Sequence, residues 1–498
     1  MKLFHVRCAT ALAAAFIAVL PAWLPAQQPL PPAPKLNLLA GAGQSPAPAG
    51  QEPPSAAPQN PGASGPLQNS PQNAQMGTQP PAGITGPRLT VEQAEQLAFR
   101  NNPNISIARL LALAQGQVTR EARSIELPQV FSDLDASDTH KDSRFTGGDL
   151  SRTMTGSRMF DKAAAGLTVH QLITDFGHTH NLVKSAESGA RAQIETQRAT
   201  ELDIKLAVDQ AFYQALTSQA VLKVAQQTLT QRTTTGEQVN ALTKAKVKSD
   251  LDLSFAQVQV SQANLLLLDA ENNEAASMAT LNDVLGSEQD QQYVLVDETD
   301  GNPAPAPIDT EALVQEAFHQ RPDLLSLNDQ FLSAKQYATA ERDQWLPTIT
   351  AVTAGGVTPV RSNPGDLIQS SWYLGAGANV NIPVFNGFLF NAETKEARYR
   401  ASAAQEQVRN LRDNVARDVR TAVLNAQTSF QRIGVTQAML NQANFAMDLA
   451  TARYKIGLSS IVELTQAQLN QTQAEIDYTN ARYTYQTALA EVRYEIGQ

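Results

Sequence analysis

Two histidines that lie close together in the sequence are the first candidates for metal chemistry. His178 and His180 stand two positions apart where a helical pattern begins. Their side chains therefore diverge by roughly 200° in a regular helix and cannot share a metal ion, so we interpret them as polar junction residues. The sequence carries no nucleophile motif and no phosphate-binding glycine loop. We predict that the protein is not an enzyme and uses no metal or other cofactor.

The N-terminus of the chain predicts export. Lys2 and Arg7 precede an apolar run from Ala9 to Leu20, which is typical of a secretory signal peptide over residues 1–26. A membrane anchor is the alternative, but the run is short for roughly 30 Å of hydrocarbon. Cys8 is the only cysteine and lies before this run. Once the signal is removed, we expect no lipid anchor, no disulfide and no thiol chemistry.

The charge and hydropathy of the remaining chain argue against two classes of protein. The formal net charge is −10, and loss of Lys2 and Arg7 makes it more negative, which argues against binding to nucleic acid phosphates. Beyond residue 26 there is no uninterrupted apolar stretch of about 18 residues, so we predict no transmembrane helix. A role inside a membrane would therefore require β-strands.

Residues 27–88 have the composition of a linker. They are rich in proline, alanine and glutamine and contain almost no charged or aromatic residues. Such a segment cannot bury enough surface to offset its chain entropy, so we expect a disordered tether with a root-mean-square span of roughly 40 Å. A defined reach or a contact with the cell wall is the alternative to a plain linker.

The second half of the chain repeats the first half. Asp175 corresponds to Asn386 and Gly286 to Gly497 at one constant separation, with no gap between them. The upstream pair Leu127-Pro128 recurs as Leu346-Pro347 at a slightly larger separation, so the second copy has a shorter insert. We predict structural repeats at 89–286 and 309–498, joined by a connector at 287–308.

Each copy is predicted to contain two short helices followed by a long helical hairpin. In the first copy the short helices run from Leu89 to Asn102, with Thr90 as N-cap, and from Pro103 to Glu126. The outgoing arm of the hairpin should run from Gly177 to Lys248, about 100 Å at 1.5 Å per residue. The return arm ends near Leu285 and is only half as long, so the Pro103–Glu126 helix should stack end to end with it.

Apolar and small residues recur along both arms at spacings that alternate between four and three. This period of 3.5 residues predicts antiparallel coiled coils with a left-handed supercoil. The outgoing arms carry Ile204, Val208, Ala211, Ala215, Ser218, Leu222, Ala225 and Leu229 in the first copy and Val415, Val419, Ala422, Ala426, Ser429 and Ile433 in the second. The return arms carry Leu253, Ala256, Val260, Ala263, Leu267 and Ala270, and Leu464, Ala467, Gln471, Ala474, Tyr478 and Ala481.

The segments between the short and long helices alternate with a period of two. From Trp372 to Ile382, apolar side chains alternate with Gly, Asn and Tyr373. This pattern matches a lipid-facing strand with girdle residues at one end, although a half-buried strand of a soluble sheet gives the same pattern. Further strands are predicted at Val130–Ala136, near 165–173 and at Thr348–Val357. Four strands cannot close a membrane barrel, so several chains would have to combine theirs.

These features resemble the TolC family of outer-membrane efflux proteins from Leu89 to Gly497. The specific points are the two Leu-Pro helix ends, the strand-to-helix junction Ile382–Gly387 and the hairpin tip Arg453–Gln468. The resemblance implies a mainly α fold with a small β part. In that fold, long coiled-coil helical hairpins repeated in tandem form an α-barrel. Four transmembrane β-strands per chain close as a 12-stranded β-barrel in a homotrimer.

The resemblance also implies a function. Members of the family are passive channels of the cell outer membrane with a long periplasmic extension, and they work with a periplasmic adaptor and an inner-membrane transporter. The implied partners are therefore a second and third copy of the chain, outer-membrane lipid, the adaptor and the transporter. The residue patterns leave a periplasmic coiled-coil adaptor or scaffold as the alternative, because such a protein shares the signal peptide and the hairpins but lacks lipid-facing strands.

Candidate site residues follow from the same resemblance. In the family the second tip narrows the passage with a ring of acidic side chains, which implies a role for Glu463; an exposed residue at a helix start is the alternative. Gln466 stands where some members have a second acidic residue. Tyr454 matches a tip tyrosine that helps to lock the closed state, but Ser459 replaces its basic partner, so packing in the seam is the favoured interpretation.

The first tip differs from the second in charge. Lys244, Lys246 and Lys248 are crowded at the turn, and Lys246 stands where the second copy has Gly457. The lysines, with Gly457 and Ser459, are candidates for docking an adaptor, because charges on a rim steer encounter. A merely solvated turn is equally consistent with the sequence. Trp372 and Tyr373 are the candidate membrane girdle.

Overall fold

The computed structural model describes residues 87–137, 162–287, 291–297, 309–360 and 369–498. The predicted signal peptide, nearly all of the tether and much of the connector lie outside the described residues. The chain divides into two compact units, and the larger one comprises Pro80–Asp133, Ala165–Val357 and Trp372–Gln498. All the helices of the described residues belong to this larger unit. The described part of the smaller unit consists of strand ends.

The described part of the chain is mainly helical. Its helices are α1 (Val91–Asn101), α2 (Pro103–Ser124), α3 (His178–Lys244), α4 (Asp250–Val284), α5 (Thr310–Gln320), α6 (Pro322–Asp343), α7 (Leu389–Lys455) and α8 (Ile461–Ile496). The helices α3 and α7 each have 67 residues, which corresponds to about 100 Å. The predicted long hairpins are therefore confirmed. The outgoing arm ends at Lys244 rather than Lys248, because residues 245–249 form the turn.

Six strands occur in the described residues. They are β1 (Arg88–Leu89), β2 (Gln129–Ser137), β3 (Lys162–Thr174), β4 (Val294–Leu295), β5 (Thr348–Val360) and β6 (Gln369–Asn381). The four predicted strands form one sheet in the order β2-β3-β5-β6. In it β3 runs antiparallel to β5, with Thr168 opposite Ala354. The prediction of a helix starting at Leu89 was wrong by two residues, since Leu89 pairs in parallel with Leu295 and α1 starts at Val91.

Local side chains explain where several helices begin. The Thr90 hydroxyl accepts from the Gln93 backbone N–H and the Gln93 side chain accepts from the Thr90 N–H, which is a capping box. Ser249 and Asp252 form the same arrangement at α4. Pro103 occupies the first turn of α2, where its missing N–H costs nothing. The Ser249 cap fixes where the return arm of the first hairpin begins after the tip turn.

In both copies the long helix is preceded by the same unusual backbone conformation, with two positive φ angles in a row. Phe176 and Gly177 have φ angles of 56° and 116°, and the corresponding Gly387 and Phe388 have 65° and 67°. Each junction thus uses two successive left-handed residues, one of which is a phenylalanine. Because such a residue costs roughly 1–2 kcal/mol outside glycine, the sharp turn from strand to helix is imposed by the surrounding structure.

The predicted coiled-coil seams form the cores. Val208, Ala215 and Ala225 on α3 are fully buried, as are Val419 and Ala426 on α7. Around them lie two clusters of buried side chains, one per copy. The first includes Ala211, Phe212, Met278, Leu281 and Tyr293, and the second includes Val314, Ala422, Val423, Tyr485, Ala488 and Val492. The heptad pattern therefore identified the core positions of both long helices.

Equivalent contacts close both copies at the end of the return helix. Gly286 lies so close to Asn101 that a Cβ would come within 2.8 Å of the Asn101 carbonyl oxygen, and Gly497 lies equally close to Gln320. The Asn102 side chain donates to the Val284 carbonyl at 2.9 Å. Arg321, the counterpart of Asn102, makes the corresponding bond to the Glu495 carbonyl at 3.4 Å. The internal repeat thus extends to individual hydrogen bonds, which recur at equivalent positions in the two copies.

The helices pack in a defined order within the larger unit. The long helix α3 has neighbours on both sides, with α2 and α4 on one side and α6 and α8 on the other. The long helix α7 packs only against α5, α6 and α8 among the well-populated contacts of the described residues. Consequently α2 and α4 form one edge of the helical layer, and α7 forms the opposite edge.

The turn of the first hairpin provides a test of backbone strain. Lys246 has a φ of 59° where its counterpart Gly457 has 76°. Since a left-handed L-residue is strained, Lys246→Gly should raise the free energy of unfolding by about 1 kcal/mol, measured from the midpoint of chemical unfolding. Gly457→Ala is the matched control and should lower it by a similar amount. A less stable Lys246→Gly protein would show that the lysine side chain stabilises the turn.

Candidate functional site

The two hairpin tips lie side by side and share a core. Residues of the first hairpin, Val239 and Ala256, pack with Met447, Leu464 and neighbouring residues of the second hairpin in one buried cluster. The turns that cap these hairpins lie beyond this cluster at 245–249 and 456–460. The structure therefore brings together both sets of tip residues that the sequence singled out.

Tyr454 and Lys248 make the direct contact between the tips. The Lys248 Nζ lies 4.3 Å from the centroid of the Tyr454 ring, a cation–π geometry. Tyr454 is 9% exposed and packs in the shared core. Its hydroxyl has no hydrogen-bond partner among the described residues. Burial, with a contribution from Asp252, raises the pKa of the Tyr454 hydroxyl.

Glu463 lies at the start of α8 and is half-exposed. Its backbone N–H donates to the Ser460 hydroxyl, so Ser460 is the N-cap, and its carboxylate lies 3.3 Å from Nε of Arg453. Gln466, one turn further, donates to Asn470 at 2.9 Å on the exposed surface. In a single chain Glu463 is therefore partly neutralised, and no second acidic side chain stands beside it on this turn.

The remaining tip candidates lie at the turns themselves. Lys244 ends α3, and Lys246 and Gly457 are the left-handed residues of their turns. Lys244 and Lys246 have no ion pair among the described residues, so their charges are available at the rim of the first tip. The Ser459 hydroxyl is buried and has no partner in the described part of the chain.

Trp372 and Tyr373 lie on opposite faces near the start of β6. The Trp372 side chain is 77% exposed. The Tyr373 hydroxyl lies over two glycines, where a Cβ on Gly166 would meet it at 2.4 Å and one on Gly356 at 2.8 Å. Glycines on β3 and β5 thus make room for the tyrosine across the sheet, whereas the tryptophan has no such cover in a single chain.

Comparison with known proteins decides the family. The chain matches the family model described as "Outer membrane efflux protein" over residues 95–287 and 313–498. The chain belongs to the outer membrane efflux protein family.

Relatives of this efflux protein bear names of the same kind. It is 24% identical to outer membrane protein TolC of Salmonella enteritidis over 82% of this chain and 83% of that protein. It is 22% identical to the probable efflux pump outer membrane protein TtgC of Pseudomonas putida over 74% of this chain and 75% of that protein. Both are named as outer membrane proteins, and the second as part of a probable efflux pump.

Solved structures show the same fold. A membrane protein from Pseudomonas aeruginosa superposes with a TM-score of 0.70 at 20% identity, over 82% of this chain and 93% of that one. The CmeC outer membrane channel of Campylobacter jejuni superposes with a TM-score of 0.70 at 17% identity, over 82% of this chain and 85% of that one. The arrangement of helices and strands is therefore the same as in these two membrane proteins.

Exposed apolar residues of the efflux protein concentrate on its two helical edges. They are Ile107, Leu110, Leu111 and Leu113 on α2, Leu251, Phe255, Val258, Leu265 and Leu268 on α4, and Leu424, Val435, Met439, Phe445 and Leu449 on α7. The edges also differ in charge. The helix α4 contains acidic residues and no lysine or arginine, whereas basic residues outnumber acidic ones in α7. The acidic helix α4 is thus complementary in charge to the basic helix α7, and both helices expose apolar side chains.

Sequence reasoning missed one buried cation in the efflux protein. Arg232 on α3 is 3% exposed. Its Nη1 donates to Gln259 on the return arm at 2.9 Å and also to Gln468 of the second hairpin. Arg232 follows Leu229 at the next seam position, and extending the heptad pattern by one step would have predicted its burial. The predictions stopped at Leu229 because an arginine breaks the apolar pattern.

A pair of carboxyl groups lies where the first helix packs against the long one. Asp209 on α3 is 2% exposed and lies 3.6 Å from Arg493 of α8. The half-buried Glu95 of α1 lies beside Asp209, with Lys205 also nearby. Burial, followed by repulsion from Asp209, raises the pKa of Glu95 to about 7. The pair therefore holds a proton over much of the acidic range.

This carboxyl pair predicts a pH dependence of stability. Because the pKa of Glu95 is higher in the folded chain than in the unfolded one, the folded state binds more protons. The free energy of unfolding should therefore fall as the pH rises from about 4.5 to about 7. Glu95→Gln should remove this loss, so its thermal midpoint should exceed that of the wild type at pH 8 but not at pH 5. The exposed Glu92→Gln is the control, and an equal gap at both pH values would refute the assignment.

The described residues show neither a cluster of metal ligands nor a helix that could cross a membrane. No group of three or more His, Cys, Asp or Glu side chains there is placed to hold a metal ion. The His178 ring contacts the Ala340 carbonyl at 2.8 Å, at the junction with α6. Among the same residues, no helix is both long enough and apolar enough to cross a lipid bilayer.

Proposed function

We propose that the chain is a passive outer-membrane duct that exports small molecules or proteins and works as a homotrimer. The observation that carries this proposal is the pair of complementary apolar edges, α2 with α4 on one side and α7 on the other. A contact between two different surfaces of the same chain is heterologous and generates a ring when the rotation closes. Each copy would then cover the exposed leucines of the next.

The internal repeat supplies the geometry of the contact between copies. The helix α7 is the counterpart of α3, and α4 is the counterpart of α8, so α7 of one copy should receive α4 of the next as α3 receives α8. Within one chain the hydroxyl oxygens of Thr228 and Thr472 lie 3.4 Å apart across the α3–α8 contact. Their counterparts are Met439 and Ser261, both of which are exposed in the single chain. These two residues should therefore meet between copies.

The sheet supports a trimer as the size of the ring. A single chain contributes the four strands β2, β3, β5 and β6, and an open sheet edge in lipid leaves backbone groups unpaired at several kcal/mol each. Three chains would supply the strands of a 12-stranded barrel in the outer membrane, with Trp372 and Tyr373 as girdle residues. The long hairpins would continue the barrel as an α-barrel through the periplasm.

The tips are the proposed place of contact with the rest of an export assembly. A duct has no energy source of its own, so an inner-membrane transporter would drive transport and a periplasmic adaptor would join it to the tips. Three copies of Glu463 would form the constriction with Gln466 and Tyr454, and the Arg453 contact moderates their repulsion. Lys244, Lys246 and Lys248, with Gly457 and Ser459 of the neighbouring tip, would form the docking surface.

Neutral substitutions test the docking surface. Changing Lys244, Lys246 and Lys248 together to glutamine should weaken adaptor binding at least tenfold at low salt, because the rim charges that steer encounter are gone. The measurement is the dissociation constant for purified adaptor at two salt concentrations. Lys223→Gln, in the middle of α3, is the control. Unchanged binding by the triple variant would eliminate the docking role.

A periplasmic adaptor or scaffold is the alternative function, and cell fractionation distinguishes it from the proposed duct. A periplasmic coiled-coil adaptor or scaffold would share the hairpins, but the strands that precede each hairpin favour the duct. We expect the full chain in the outer-membrane fraction, as a trimer on extraction that conducts ions in planar bilayers. A soluble periplasmic monomer would favour the rival function.

A further inference from the structure

The side chain of Tyr373 lies along the sheet, over a recess made by two glycines. Gly166 on β3 and Gly356 on β5 are directly opposite each other in the ladder. The Tyr373 hydroxyl lies over this pair, so that a Cβ on either glycine would overlap it. Neighbouring strands lie about 4.8 Å apart, so the side chain starts on β6 and crosses β5 to reach β3. Gly166 and Gly356 are called the glycine recess below.

The face of the sheet that carries Tyr373 is the more polar one. Residues two apart in a strand share a face, so Thr168 lies on the side of Gly166, and its hydroxyl is 3.4 Å from the Asp133 carboxylate. The opposite face has exposed apolar side chains, among them Leu167, Trp372, Leu374 and Val380. In a membrane barrel the apolar face meets lipid and the polar face lines the interior. In the proposed duct Tyr373 therefore faces the passage, and of the two candidate girdle residues only Trp372 faces lipid.

Tyr373 stands where the wall of the proposed passage is otherwise bare. It lies near the end of β6 that is far from α7. Gly375 and Gly377 follow it on the same face, and a Cβ on either would meet open space. The tyrosine ring is therefore the bulkiest group that this stretch of β6 can extend into the passage. In a trimer three such rings stand at one level.

We propose that Tyr373 is a specificity-determining residue of the duct, and that the glycine recess keeps its ring out of the passage. This inference rests on the proposed function, because the sheet encloses a passage only in a ring of copies. The selectivity of a pore depends on its diameter and on the groups that line it. With the rings held in the recess, this level of the duct admits bulky compounds. Rings that left the recess would exclude them.

Gly166→Ala displaces the ring with little other change. A Cβ at this position overlaps the Tyr373 hydroxyl, whereas the next atoms, the Gly355 carbonyl oxygen and the Tyr373 Cζ, lie at 3.4 and 3.5 Å. The ring must then turn to another rotamer. Gly356→Ala is less suitable, because its Cβ would also meet the backbone of β3. Adding Tyr373→Phe to Gly166→Ala removes the one atom that overlaps, so the ring should return to the recess.

The labelling of a cysteine beyond this level measures the opening. Asn379 lies six residues after Tyr373 on the same face of β6, about 20 Å further along the strand. Intact cells that carry the full-length protein with Cys8→Ala and Asn379→Cys are treated with a small maleimide or with a polyethylene-glycol maleimide of several kilodaltons. From outside, the large reagent must pass the level of Tyr373. The quantity measured is the ratio of the labelling rate with the large reagent to that with the small one.

The expected change is confined to variants that move the ring. Gly166→Ala should lower the ratio about fivefold, because three rings enter one passage. Adding Tyr373→Phe should restore the ratio of the parent protein. Gly375→Ala is the matched control on the same face and should leave the ratio unchanged. An unchanged ratio in Gly166→Ala trimers would overturn the proposal, and so would a lowered ratio that Tyr373→Phe does not restore.

A second variant covers a failure of assembly. If Gly166→Ala yields no trimer, Tyr373→Ala is measured instead. Removing a ring that lies in the recess should leave the ratio unchanged, whereas a higher ratio would show that the ring already stands in the passage and would refute the proposal. If neither reagent labels Asn379→Cys in folded outer-membrane protein with an intact recess, there is no passage and the proposed function fails. A failure of the inference alone leaves that labelling intact.

Discussion

Leu268→Glu combined with Met439→Glu should abolish the trimer and export. In a single chain Leu268 is 61% exposed and Met439 is 42% exposed, so the folding of one subunit should tolerate both charges. In the ring Met439→Glu would be buried against the acidic helix α4, and Leu268→Glu would replace an apolar contact with α7, at a combined cost of several kcal/mol. The association constant of the trimer is therefore expected to fall more than about 100-fold. The measurements are the mass of the extracted protein and the accumulation of the exported compound.

A matched control separates assembly from folding. Ile194 on α3 is 44% exposed, but α3 already has helical neighbours on both sides within its own chain. Ile194→Glu should therefore keep the trimer, and the circular dichroism of the double variant should keep its helical signal. A double variant that still forms trimers would show that α4 and α7 do not meet.

Tyr485→Ala should cause the largest loss of stability of any single truncation in the second repeat. The side chain is fully buried on α8 in one cluster with Val419 and Ala488, with its ring 5.4 Å from that of Phe430. Removing a ring of this size leaves a cavity that rigid long helices cannot close, which costs about 3–5 kcal/mol. The measurement is the shift of the guanidinium midpoint at fixed protein concentration.

At the equivalent position the first repeat has a polar contact instead of the pair of aromatic rings. The counterparts of Phe430 and Tyr485 are Gln219 and Glu274, which form a hydrogen bond of 3.5 Å instead of a ring contact. Gln219→Ala should therefore cost much less than Tyr485→Ala, on the order of 1 kcal/mol. Tyr485→Phe keeps the ring and should also cost about 1 kcal/mol. If Tyr485→Ala and Tyr485→Phe lost the same free energy of unfolding, the hydroxyl rather than the packing of the ring would be the stabilising group.

Periodic features of the fold could be predicted from the sequence. The alternation of four and three residues located Val208 and Val419 in the core, and Thr90 was correctly predicted as the N-cap of α1. These predictions succeeded because each depends on local spacing along one helix. The strand at Leu89 was missed, since a pair of two-residue strands has no period and depends on Leu295, which is distant in sequence.

The candidate site was only partly predictable for the same reason. The sequence placed Tyr454 in a seam and the lysines at a turn, but it gave no sign that Lys248 lies over the Tyr454 ring, because that contact joins two hairpins. Arg232 was overlooked because a charge interrupts the apolar pattern that defines a seam. Its amide partners lie on two other helices, so the compensation for its burial appears only in three dimensions.

In the proposed ring, different edges of identical copies meet, and one engineered disulfide reports this contact. Full-length protein with Cys8→Ala, Ser261→Cys and Met439→Cys should be oxidised in outer membranes and run on a denaturing gel. We expect covalent dimers and trimers that collapse to monomers on reduction, while either single cysteine gives at most a dimer. Efficient oxidation to an internally linked monomer, or no oxidation while Thr228→Cys and Thr472→Cys join readily within the chain, would contradict it.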